Sequence, residues 1–227
     1  MMAVQDKTLA GYLREDEKLL LSLEEVVNPQ HTALVIVDAQ NDFVHGRGKT
    51  GPAPGRALNA NQIMVAQLGK FIKACRRVGV PTFWIVTHHG RDIDLPAYKA
   101  RMARRGGGPN CLEGTPGAQL VRGMRPQEGE RIFVKHGYDG FTGNDLDICL
   151  QNRGITTLIM SGNATDICVD ATMKHGFHLG YYIVVGSDIT STLTAGVQDI
   201  YLKSFQEQYG LVASSKEIAK IWGVALK

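Results

Sequence analysis

The chain has 227 residues, 44% apolar and 21% charged, with a formal net charge of +3. That suits one large globular domain, able to bury roughly 70% of its unfolded surface without disulfide or metal staples. So small a charge, with the basic residues dispersed outside one loop, excludes a nucleic-acid binder. The four cysteines, Cys75, Cys111, Cys149 and Cys168, lie far apart without a C-x-x-C pair. They point to free thiols in a reducing compartment. The charged N-terminus reads as neither a secretory leader nor a membrane span, so a cytoplasmic location is expected.

In chain order, residues 10–26 carry leucines at helical spacing among charges. They predict a polar helix within an N-terminal arm, residues 1–30, lying on the domain surface or against a partner subunit. The domain itself is expected over 31–227. Short apolar runs rich in Val, Ile and aromatics predict strands at 33–38, 82–87, 132–135, 157–161, 182–186 and 211–213. Helical patterns fall between them at about 57–78, 144–153, 168–179, 195–209 and 215–222, with Gly79 and Gly154 as helix stops. Such alternation predicts a three-layer α/β/α Rossmann-like fold with a mainly parallel six-stranded sheet. Ligands then bind at the carboxyl ends of the strands. Residues 88–130 hold no predicted strand and read as structureless. They contain the basic run 98–105 and a Gly106-Gly107-Gly108 stretch fit to hinge a lid.

Three residues stand where chemistry is expected. Asp38 closes the run ALVIVD, Lys135 closes RIFVK, and Cys168 follows the strand LIMS at the opening of a predicted helix. Taken singly, each has a plainer reading: a turn cap, a surface lysine, a small buried hydrophobe. Together they supply a nucleophile, an acid–base carboxylate and a cation at one rim. Asp38 and Lys135 pair if their strands are neighbours. The helix N-terminus at Cys168 favours thiolate, and the turn Gly162-Asn163-Ala164 offers backbone N–H groups to an oxyanion.

The blocks TALVIVDAQNDF, NCLEGTPGAQLV and VKHGYDGFTGNDLDICLQNRGITTLIMSGNATDICVDAT resemble the isochorismatase-like cysteine hydrolases. The likeness spans about residues 32–215, and it is strongest toward the ureidoacrylate and biuret branch. It implies Asp38, Lys135 and Cys168 as catalytic residues, a cis peptide between Asn163 and Ala164, and oxyanion donors at the N–H groups of Ala164 and Cys168. The implied activity is cleavage of a C–N bond in a small amide or ureido/carbamoyl compound through a thioester. Neither cofactor nor metal is expected, since THHGRDIDLP lacks the Asp-x-His pattern of nicotinamidases. A homo-oligomer, dimer or tetramer, is expected. Further substrate contacts are assigned to Gln40, Phe43, Tyr138 and Phe141 as a pocket wall, and to His88 and Asn163. Arg47 and the cluster Arg101, Arg104 and Arg105 are placed to hold an anionic group, with a solvated basic loop as the rival account. Two other readings stay open: a nicotinamidase-type cyclic amide hydrolase, and a silent member acting as a binding or assembly protein.

Overall fold

A computed structural model describes residues 11–14, 18–45, 48, 58–194 and 196–227. Arg47, assigned above to an anionic group, lies outside the described residues. Six parallel strands form one sheet in the order β3-β2-β1-β4-β5-β6. They are β1 (Thr32–Val37), β2 (Thr82–Thr87), β3 (Ile132–Lys135), β4 (Thr157–Asn163), β5 (Tyr182–Ser191) and β6 (Leu211–Ala213). The helices are α1 (Leu23–Val26), α2 (Asn41–Val44), α3 (Leu58–Arg77), α4 (Pro96–Arg104), α5 (Leu146–Gln151), α6 (Asp170–His178), α7 (Gln198–Gln208) and α8 (Ser215–Ile221).

Strand side chains alternate between faces, so a sheet covered on both sides needs apolar residues at every position. β1 meets that demand. Ala33, Val35 and Val37 enter a core with Leu146 and Leu150 of α5, Met173 of α6 and Phe205 of α7. Leu34 and Ile36 enter a second core with Leu68 and Phe71 of α3 and Ile218 of α8. β1 is therefore the centre of a three-layer molecule, and all six of its residues are buried. Among the described residues no helix is long and apolar enough to cross a membrane.

Two expectations change. The helix expected over 10–26 exists among the described residues only as α1, started by a capping box between Ser22 and Glu25. Residues 18–21 are not helical. Leu20 packs against the second core and its N–H donates to the Tyr182 hydroxyl at 3.2 Å. Tertiary contact sets this segment's path, since so short and polar a helix gains little by itself. The stretch 88–130, read as structureless, contains α4, with a proline in its first turn. None of its residues is buried, so it has no apolar stripe to betray it.

Candidate active site

The carboxyl ends of β3, β2, β1 and β4 stand side by side along one rim. Asp38 follows β1 with φ +52, a left-handed conformation that Asp tolerates better than most residues, and its N–H donates to Ile85 O at 2.9 Å. Lys135, at the end of β3, points its Nζ to Asp38 Oδ2 at 2.9 Å, with both side chains wholly inaccessible to water. The two strands are not neighbours, as the sequence reading required for pairing, because β2 runs between them. Thr87, the last residue of β2, closes the gap. Its Oγ1 donates to Asp38 Oδ1 at 2.9 Å and accepts from Lys135 Nζ at 2.6 Å. Gly137 O takes a third Lys135 hydrogen bond at 3.0 Å, which satisfies all three donors of the ammonium.

Gln40 holds this bridge in place. Its Oε1 accepts from Thr87 N–H at 2.8 Å, and its Nε2 donates to Thr87 O at 2.8 Å and Ala118 O at 2.7 Å. Both amide hydrogens are spent on backbone carbonyls, so Gln40 is not the substrate donor expected from sequence. It fixes the end of β2.

β4 delivers the sulfur. At Gly162, φ is +100 and a Cβ would lie 1.9 Å from Val37 O. Only glycine permits this approach of β4 to the residue before Asp38. The Asn163–Ala164 peptide that follows is cis, as the resemblance implied. Residues Thr165–Val169 then form a wide helical turn leading into α6, with Ala164 O accepting from the N–H groups of Ile167 and Val169. Cys168 sits inside this turn, buried, near enough to Asp38 and Lys135 that both act on its thiol. Burial pushes the thiol up to about 12, with Lys135 pulling it down and Asp38 pushing it up. Against the thiolate-favouring influence expected of the helix N-terminus stand desolvation, the largest cause, and the Asp38 carboxylate. Lys135 loses from burial but gains more from Asp38 and Cys168, so its pKa is raised and it stays an ammonium.

Tyr138 is half-buried, and its hydroxyl has no hydrogen-bond partner among the described residues. The same holds for both polar atoms of the Asn163 carboxamide, which is fully buried. These atoms suit a ligand. His88 is half-buried at the rim, its N–H donating to Lys135 O at 3.1 Å. The other two wall residues pack into apolar clusters. Phe141 packs in the first core, the cluster that also holds Cys168 and receives Tyr138, with His175 at 5.2 Å between ring centroids and Tyr181 beside it. Phe43 packs with Val44, Cys111 and Ala118 in a small separate cluster. His89 is buried and hydrogen-bonded through Nδ1 to Asp94 at 2.7 Å. Thr87 is the residue that sequence reading missed; its only signal was a hydroxyl closing the apolar run TFWIVT at the same rim.

A parallel α/β/α sheet with a thiol, a carboxylate and an ammonium gathered at its carboxyl rim defines a hydrolase type of site. The model of the isochorismatase domain matches residues 32–217. The chain belongs to the isochorismatase family. It is 34% identical over 184 residues to the ureidoacrylate amidohydrolase RutB of Pseudomonas syringae pv. syringae, covering 72% of each chain. Against that of Methylobacterium radiotolerans it is 28% identical over 221 residues, covering 87% of this chain and 82% of the other. Among solved structures, N-carbamoylsarcosine amidase from Thermoplasma acidophilum aligns with TM-score 0.67 at 29% identity, over 81% of this chain and 96% of that one. A cysteine hydrolase from Pseudomonas syringae pv. phaseolicola shares the fold with TM-score 0.75 at 23% identity, over 91% and 97%. The protein is an enzyme of the amidohydrolase kind.

Proposed function

We propose that the chain hydrolyses a small amide or a ureido/carbamoyl compound through a thioester on Cys168. One observation carries this reading: a buried thiol against a buried carboxylate whose charge is held by an equally buried ammonium. A thiol with so high a pKa needs a base at the moment of attack, and Asp38 is that base. Proton transfer from Cys168 to Asp38 accompanies attack of sulfur on the carbonyl carbon. The N–H groups of Ala164 and Cys168 stabilise the oxyanion. As the tetrahedral species collapses, protonated Asp38 hands its proton to the departing nitrogen, which leaves as ammonia or an amine. Water, deprotonated by the same carboxylate, then attacks the thioester and regenerates the thiol. Lys135, 2.9 Å from Asp38, holds the carboxylate in position for both halves of the cycle. The names of the RutB and N-carbamoylsarcosine amidase relatives support a ureido or carbamoyl substrate.

The test is a panel of ureides and amides assayed for ammonia release, with mass spectrometry of quenched turnover. Cys168→Ala is expected to abolish release while leaving the thermal transition in place, and an acyl adduct is expected on Cys168. Release by the alanine variant within tenfold of the parent would remove Cys168 from the nucleophile role.

A further inference from the structure

α4 carries a cation for which the covalent chemistry has no use. Arg101 places its guanidinium 5.7 Å from the ring centroid of Tyr98 and 5.4 Å from that of Tyr138. The two rings meet edge to face at 6.1 Å. A guanidinium held by its faces keeps its in-plane N–H groups for other partners. No carboxylate pairs with it among the described residues, and Arg104 and Arg105, just beyond it, have the same charge.

The pair of tyrosines is itself fixed from the rim. Tyr98 stacks on His89 at 4.2 Å, and His89 is tied to Asp94 at 2.7 Å, close to the start of α4. Tyr138 follows Gly137, whose carbonyl accepts from Lys135 Nζ. Tyr138 packs against the core cluster that contains Cys168, which puts the tyrosine pair on the side of the reacting sulfur. The Tyr138 hydroxyl is buried and unpartnered among the described residues. A free guanidinium edge and an idle phenol donor, side by side and near the nucleophile, form a receptor for an anion.

We propose that Arg101, with the Tyr138 hydroxyl as a second donor, anchors a carboxylate at the end of the substrate remote from the scissile bond, so that the enzyme prefers ureido or carbamoyl acids over their uncharged counterparts. The anchor rests on the amidohydrolase reading for its orientation toward Cys168, but binding can be measured without turnover. Arg101 acts here on specificity, and α4 is the element that supplies it.

The experiment uses the full chain bearing Cys168→Ala, titrated calorimetrically with ureido carboxylates of increasing spacer length. Each is paired with its neutral primary amide. At least one carboxylate is expected to bind roughly tenfold or more tightly than its amide, as one charge-assisted bidentate contact allows. Arg101→Met, at a half-exposed position, is expected to erase that preference, and Arg101→Lys to retain part of it. Tyr138→Phe should weaken only the carboxylate, by a few-fold. Equal affinities, a preference that survives Arg101→Met, or no binding of any carboxylate would overturn the anchor. Turnover by the chain with Cys168 intact separates the two readings. Comparable hydrolysis of acids and amides removes the anchor and leaves the amidohydrolase. Anion-selective binding without cysteine-dependent hydrolysis does the reverse.

Discussion

Thr87→Val is the sharpest test of how the site is built, because valine keeps the shape of threonine and removes only the hydroxyl. That hydroxyl makes two hydrogen bonds, 2.9 Å to Asp38 and 2.6 Å from Lys135, both to charged groups with no access to water. Hydrogen bonds to charged groups contribute roughly 1.5–3 kcal/mol each. Part of this is returned, since the hydroxyl no longer has to be desolvated, so a net loss of about 2–4 kcal/mol of folding stability is expected. The same loosening reaches the chemistry. In the proposed mechanism Asp38 meets the Cys168 proton within hydrogen-bond range, and misplacement worth about 1.4–2.8 kcal/mol lowers turnover about ten- to a hundredfold.

The assays are urea denaturation and initial rates of ammonia release on the best substrate of the panel. Most of the loss is expected in kcat and little in KM, because Thr87 touches the carboxylate and the ammonium and not the proposed anion anchor. Thr87→Ser restores the hydroxyl and is expected to recover most of kcat, which a merely volumetric role would not allow. A valine variant within twofold of the parent in kcat and unchanged in its denaturation midpoint would refute the bridge.

Lys135→Met leaves Asp38 charged and buried without its ammonium, and breaking a pair of this kind costs about 3–5 kcal/mol; the double variant with Asp38→Asn should recover much of it in the same denaturation assay. Gly162→Ala must fit a methyl 1.9 Å from Val37 O at φ +100, so loss of soluble folded protein or of all activity is expected, and a stable active variant would contradict the close approach of β4 to β1. Alkylation of Cys168 by iodoacetamide should follow the thiolate population. With the thiol pushed up from 9.0 to about 12, lowering the pH below that value favours the protonated form. The rate should therefore climb about tenfold per pH unit from neutrality to well above pH 9. A plateau near pH 7 would show a preformed thiolate and reverse the order of proton transfer and attack.

How far the sequence disclosed this molecule depends on whether a signal is local. The strands were readable because β1 and β2 are buried on both faces and must be apolar at every position. Asp38 and Lys135 were readable because a charge ending an apolar run stands out. Thr87 was not, since a threonine at the end of a strand is ordinary and its meaning depends on β2 lying between β1 and β3. Gln40 was misjudged for the same reason: its partners Thr87 and Ala118 lie 47 and 78 residues away. α4 escaped because a helix with no buried residue has no apolar period. The tendency of a helix terminus to favour thiolate is a local argument, whereas the burial and the carboxylate that push the Cys168 thiol the other way come from the tertiary structure.

The energetics of the rim bear on why it is built this way. Removing a carboxylate and an ammonium from water costs several kcal/mol for each, and an apolar pair of similar volume often serves stability as well or better. Here the cost is offset by complete satisfaction: Lys135 spends every hydrogen on Asp38, Thr87 and Gly137, and Thr87 completes the loop back to Asp38. One feature has no structural compensation. The Cys168 thiol, which a stable core would leave among apolar neighbours, is set against both charges, where its ionisation is opposed by burial and by Asp38 and aided by Lys135. An arrangement in which the proton on sulfur has a neighbouring base, and that base has a fixed counter-ion, gains nothing for folding. It offers a path for one proton out to Asp38 and back, which is what the two half-reactions of the proposed thioester route require.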